Sequence, residues 1–193
     1  MLKNKEIATL ANRLQVPAVV SDILDGRDML SDDIQYGLHE TISDLHPDSA
    51  LLAIAVSALK IARIYEKASP AMTVLAMECE RLMQDYGPLW LQNANNENLD
   101  HGDVFDILAL VPEDLEGLAE LLSHNITFLR TKDEQAAALC NILYIQASAH
   151  AMVAETFIEA AHEAATPQPA ITPAILADNV VQFPKILTRP AHS

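Results

Sequence analysis

Apolar residues along this chain recur at three- and four-residue spacing and almost nowhere alternate one by one. That is the period of helices packed on one side, not of strands. Prolines and capping residues cut the pattern into segments. An opening amphipathic helix is expected from about Lys3 to Val16, and Pro17 can sit in the first turn of a short second helix that stops near Gly26. Ser31 caps a third helix through about Leu45, with Asp32 and Asp33 in the first turn, where the helix dipole favours acids. Pro47 starts a fourth, to about Ala68. Ser69-Pro70 starts a fifth, which the Gly87-Pro88 pair is expected to end, leaving Trp90 in a short turn of its own. Asn93 to Asn98 reads as a polar loop and Gly102 to Leu110 as a short helix. Pro112 opens another helix, to Arg130. Thr131 and Glu134 have the Thr-x-x-Glu spacing of a capping box. They are expected to open the longest helix, about Lys132 to Ala165, which would span about 50 Å. No internal repeat is visible.

The helix faces carry further expectations. On the Pro47 helix, Ala55, Ala58 and Ala62 line up with Leu51 and Leu59, so a neighbour can come close. Lys60, Arg63 and Lys67 form a basic stripe opposite, read as solvated or paired to the protein's own acids. On the last helix, Asn141, Ser148, Glu155 and His162 recur every seven residues as one polar stripe, with Glu159 beside it. Leu139, Leu143, Val153, Phe157 and Ala161 gather on the other side, which predicts a helix packed along its length. From Thr166 to Ser193 the chain changes character. This stretch holds five of the ten prolines, yet also Ile171, Ile175, Leu176, Val180, Val181, Phe183, Ile186 and Leu187. It is read as a tail that packs on the bundle or docks on a partner.

Composition narrows the class. Of 193 residues 50% are hydrophobic, with only 5 glycines. A chain this long can bury about 70% of its unfolded surface, so it folds without a disulfide or metal staple. Cys79 and Cys140 fall in helical apolar patterns and read as reduced and buried. No apolar run of signal-peptide or membrane-span length stands out, so a cytoplasmic protein is expected. The net charge is −15, which repels phosphate backbones and anionic lipid.

The candidate chemistry is sparse. Residues 6–27, EIATLANRLQVPAVVSDILDGR, resemble over 22 residues the helix-turn-helix of bacterial repressors. The resemblance would imply DNA readout. However, the turn is one residue short, Gln15 stands where a glycine is usual, and the would-be reading helix carries Asp22 and Asp25, which repel phosphate. Glu159-x-x-His162 has di-iron spacing, but that architecture needs a second such pair and none occurs. Glu120 and His124 sit on a polar helix side. The Asn96, Asn98, Asp100 loop has His101 where a calcium loop needs glycine and Ile107 where it needs glutamate. There is no glycine-rich phosphate loop, nucleophile elbow or H-E-x-x-H.

Two constellations remain. His150 falls among the apolar positions of the last helix, with Gln146 one turn earlier. A buried imidazole there needs a hydrogen-bond partner from Gln146 or a facing helix, and reads either as a satisfied core histidine or as a ligand contact. Between Arg81 and Arg130 no lysine or arginine occurs, while acids including Asp100, Asp103 and Asp106 accumulate. This is a solvated surface or a docking patch for a basic partner.

The expectation is therefore an all-α protein, a single bundle of about seven or eight helices over residues 1–165 with an extended tail over 166–193. Its expected function is a non-enzymatic protein-interaction or regulatory one, with a protein partner or homodimer formed in part through Asp100, Asp103, Asp106, Val180, Val181 and Phe183. The alternative is a bundle that binds a small apolar ligand or cofactor at His150 and Gln146. No catalytic residue, metal or resident cofactor is assigned, and neither nucleic acid nor membrane is expected as a partner.

Overall fold

A computed structural model describes the backbone of residues 4–94 and 109–165 and the side chains of 5–92 and 109–158. The 93–98 loop, the 102–110 helix as far as Leu108, and the whole 166–193 tail lie outside the described residues, apart from the helical backbone at 93 and 94. So do Asp100, Asp103, Asp106, Val180, Val181 and Phe183, and the side chains of Glu159 and His162. Among the described residues there are seven helices and no strand: α1 (Asn4–Leu14), α2 (Val16–Leu24), α3 (Asp32–Ser43), α4 (Pro47–Tyr65), α5 (Pro70–Ala94), α6 (Val111–Arg130) and α7 (Glu134–Ala165). The all-α bundle is thus the observed fold class. The chain divides into a bundle through Glu159 and a second unit from Ala160, of which only the end of α7 is described.

The boundaries follow local chemistry. α1 and α2 are separated by Gln15 alone, at φ 60° and ψ −48°. That left-handed backbone suits glycine, and here a glutamine occupies it. α2 ends in a Schellman motif: Gly26, at φ 69°, donates its N–H to the Ile23 carbonyl, and Arg27 N–H reaches the Asp22 carbonyl. The Arg27 guanidinium then closes over the Asp22 and Asp25 carboxylates at 3.0 and 2.9 Å. Ser31 caps α3 by accepting from Ile34 N–H at 3.3 Å.

Two boundaries and one expected burial differ from the sequence expectation. α5 runs straight through Gly87 and Pro88 to Ala94, taking Trp90 with it. Gln84 and Pro88 are both exposed, so the carbonyl that loses its donor at Pro88 lies on the wet side of the helix. Trp90 anchors the far end, its indole N–H donating to Ser49 Oγ at 2.8 Å. The cap of α7 is Asp133, whose carboxylate accepts from Ala136 N–H at 3.0 Å. Thr131 instead turns its hydroxyl back to the Phe128 carbonyl, finishing α6. Finally, Val153 and Phe157, expected in the core, are exposed.

α4 is the central helix. Ala50 to Ala58, Ile61 and Ala62 are buried, so α4 is covered on nearly every side. Its alanines at 55, 58 and 62 let α5 lie close, as the small-residue pattern predicts. Two members of its basic stripe are engaged within the protein, while Lys67 is exposed. Lys60 donates to the Pro17 carbonyl at 2.7 Å and to Ser21 Oγ, and Arg63 pairs with Glu66 and Glu80. Cys79 and Cys140 are buried free thiols, and burial pushes Cys140 up to about 12. They are protonated and inert at neutral pH.

Candidate functional site

The polar chemistry of the bundle interior concentrates on the seam between α3 and α7. Leu38 and Ile42 fasten α3 to the core. The neighbouring His39 and Ser43 are four apart and share one side of the helix. On α7, Gln146 and His150 are also four apart, and both are buried despite being polar. Facing helices with matched i, i+4 polar pairs can satisfy one another, and most of the seam does. Ser43 Oγ donates to Gln146 Oε1 at 3.2 Å. Gln146 Nε2 donates to His39 Nδ1 at 3.0 Å and to the His39 carbonyl at 3.3 Å.

His150, 4% exposed, makes one bond, from Nε2 to the Ile42 carbonyl at 2.8 Å. A carbonyl only accepts, so Nε2 carries the proton and Nδ1 of the neutral ring carries a lone pair. That Nδ1 has no partner among the described residues. Burial lowers the pKa of His150, against the opposing effect of the Ile42 bond, and the nearby His46 lowers it further. His46 itself pairs with Asp48 at 2.7 Å and lies against the Phe157 ring, centroids 5.6 Å apart.

The sequence pairing of His150 with Gln146 is therefore placed on one seam, but the two do not bond to each other. Each is held by α3, through His39, Ile42 and Ser43, which sequence reasoning did not single out. The signal was available: a second i, i+4 polar pair beside the apolar positions of α3. Two cavities are described, and neither is lined by His150. One, about 520 Å³, is bounded by Arg130, Glu134, Ala137, Ala138 and Asn141. The other, about 260 Å³, lies between α2 and α3.

The described part of the acidic stretch is partly neutralised from within. Arg81 donates to Glu78, Asp85 and Asp114, spanning α5 and α6. Tyr86 donates to the same Asp114 at 2.5 Å. Burial and the adjacent carboxylate drive the Tyr86 phenol well above its ordinary range. Tyr65, donating to Asp133 at 2.8 Å, is pushed up to about 12 by the same causes. Among the described residues, no group of three His, Cys, Asp or Glu side chains is arranged to hold a metal ion.

The outer face of α7 is the largest departure from an ordinary bundle surface. Ile145, Ala149, Met152 and Thr156 follow one another at helical spacing and are all exposed, and Val153 and Phe157 flank them. Met152 is 71% and Phe157 55% exposed. From Gln135 to Ala154 the helix has no Asp, Glu, Lys or Arg. In length and composition the Glu134–Ile158 segment, mean hydropathy 1.3, is apolar enough to cross a bilayer, yet 56% of its window is buried inside the protein. A helix buried on one side in a bundle passes that test too. No family model matches this chain, and no match to it is found among curated proteins or solved structures.

Proposed function

We propose that this chain is a non-enzymatic protein-interaction or regulatory protein, and that it engages its partner, another protein or a second copy of itself, through the outer face of α7. The observation that carries the reading is the exposed, charge-free run of Ile145, Ala149, Met152 and Val153, with Phe157 at its edge. The outward face of a surface helix is ordinarily charged. In a chain of net charge −15, an exposed run from Ile145 to Val153, about 12 Å along the helix and without one charge, is a place where another molecule can approach with little repulsion. Charge depletion with exposed Met, Ile and aromatic side chains is also the composition of interface cores.

The double substitution Ile145→Glu/Met152→Glu tests it. Both side chains are exposed, so folding should survive. Sedimentation across a concentration series, alone and with host extract, is expected to lose the assembled species in the variant. An assembly that persists unchanged, or its absence from the parent protein, would overturn the reading.

A second reading, a small apolar ligand or cofactor held near His150, is favoured by one observation: the buried Nδ1 lone pair without a donor. Native mass spectrometry of the purified chain would then show added mass that vanishes on denaturation and in His150→Leu. Equal bare masses for both proteins would remove this alternative.

A further inference from the structure

We propose that the groove between α2 and α3 docks a basic amphipathic helix of a partner protein, its apolar side chains seated in the groove and its lysines or arginines against Asp33, Glu40 and Asp44. This rests on the reading of the chain as an interaction protein but uses a different surface from α7. The groove holds about 260 Å³ and is lined by Val16 and Val19 on one wall and by Ile34, Gly37, Leu38 and Thr41 on the other, with Gln15 at its end. The α3 wall is an i, i+3, i+4, i+7 set over two helical turns, in which Ile34 and Gly37 are half-buried, Thr41 is exposed and Leu38 is seated in the core beneath them. A groove between two helices with apolar walls can accept the anchors of a third.

Gly37 sits in the middle of α3, where glycine is the poorest helix former after proline. Nothing in the fold requires it: a Cβ there would meet no heavy atom within 4 Å. Its backbone has ordinary helical sign, so no turn explains it either. The missing side chain leaves the groove floor open to an incoming group.

Charge says what that group carries. Asp33, Glu40 and Asp44 follow Gly37's edge of α3 at helical spacing and are all exposed. None of their carboxylates has a salt bridge or side-chain hydrogen bond among the described residues, and α3 carries no lysine or arginine. Asp22, Asp25, Glu66, Glu80, Asp85 and Asp114 are each matched by an arginine of the chain. Asp33, Glu40 and Asp44 share their unmatched state with Asp32, Glu113, Glu116 and Glu120, and are the ones that run beside the groove. An apolar groove bordered on one side by unmatched acids complements a helix with an apolar face and a cationic flank. A second copy fits poorly, since Arg27, Arg63 and Arg81 are engaged within their own chain and the exposed Lys5, Lys67, Arg130 and Lys132 lie on separate segments and do not line one helix.

The test uses a fluorescent helical peptide of about 16 residues, near the minimum for a marginal helix, with leucines at i, i+3, i+4 and i+7 and lysines beside them. Controls are an isomer of the same composition with the apolar face scrambled and a version with glutamate for lysine. Anisotropy titrations against the full chain are expected to show saturable binding of the first peptide only, weakening as salt rises. Gly37→Leu fills the groove while favouring the helix, and Glu40→Lys/Asp44→Lys reverses the rim at exposed positions. Each is expected to weaken binding about tenfold or more, with an unchanged or higher Tm for Gly37→Leu. The Ile145→Glu/Met152→Glu chain should bind the peptide like the parent. No binding, equal binding of the scrambled isomer, or indifference to both groove variants would overturn the proposal while leaving the α7 reading intact. Dimerisation abolished by Gly37→Leu would overturn it in favour of a second copy. Peptide binding that survives when no α7-dependent assembly exists would sink the α7 reading and keep the groove.

Discussion

Protonating His150 places a charge at a site that burial has stripped of water, with one hydrogen bond and a neighbouring imidazole. Its folded pKa therefore lies below the ordinary 6.5, whereas in the unfolded chain it returns to that value. The unfolded state then binds more protons as pH falls below about 6.5, and stability drops over that window; above it the histidine has no effect on the slope. His150→Leu is expected to flatten this acid-side loss in urea melts at a series of pH values. It should cost little at pH 7, because the Ile42 carbonyl keeps the Leu45 N–H as a donor. A variant that loses stability with acid as steeply as the parent would show that other groups set the slope. Gln15 poses a different problem at the same scale. Its left-handed backbone is strained for any residue with a Cβ. Gln15→Gly is expected to be at least as stable as the parent, and Gln15→Val less stable by about 2 kcal/mol. Thermal melts that place both variants equally below the parent would contradict the strain. The glutamine was visible in the sequence as an unusual turn residue, but its sign of φ was not, because propensity alone does not say which conformation the neighbours impose.

Element boundaries show which sequence signals carry physical weight. Ser31, Pro47 and Pro112 begin helices as expected, since each acts on the unsatisfied N–H groups of a first turn. Pro88 does not end one, because a lost bond on an exposed helix side can be replaced by water while α5 remains packed through Leu82, Met83 and Tyr86. The α7 cap lies at Asp133 and not at Thr131 because Thr131 still has helical backbone at the end of α6, at φ −83° and ψ −9°, while the Asp133 carboxylate accepts from Ala136 N–H. Asp133→Ala is expected to cost about 1 kcal/mol or more, since Asp133 also receives the Tyr65 hydroxyl, while Thr131→Ala costs a few tenths. Denaturant midpoints that rank the two the other way would restore the Thr131 cap. Helical periodicity thus made the elements and the burial of α4 legible. The Ser43–Gln146 and His150–Ile42 bonds join residues more than a hundred positions apart, and no local pattern specifies which helices face each other.

At the scale of the whole molecule, hydrophobicity was legible but its destination was not. The sequence groups Val153 and Phe157 with Leu139 and Leu143, yet only the latter pair is buried, because at the far end the bundle covers the side of α7 that carries His150, Ala151 and Ala154 and leaves Val153 and Phe157 outside it. A periodic apolar face says that something packs against it, and is silent on whether that is the same chain. If this bundle works by contact with another protein, the charge-free run of α7 is where that contact forms. The most direct measurement is photo-crosslinking in the source cell from a reactive amino acid placed at Met152, with the exposed Glu120 of α6 as control. One discrete light-dependent adduct is expected from position 152, to a second copy or to a single partner, lost when Ile145→Glu is added. No adduct from position 152, or the same diffuse products from both positions, would contradict it.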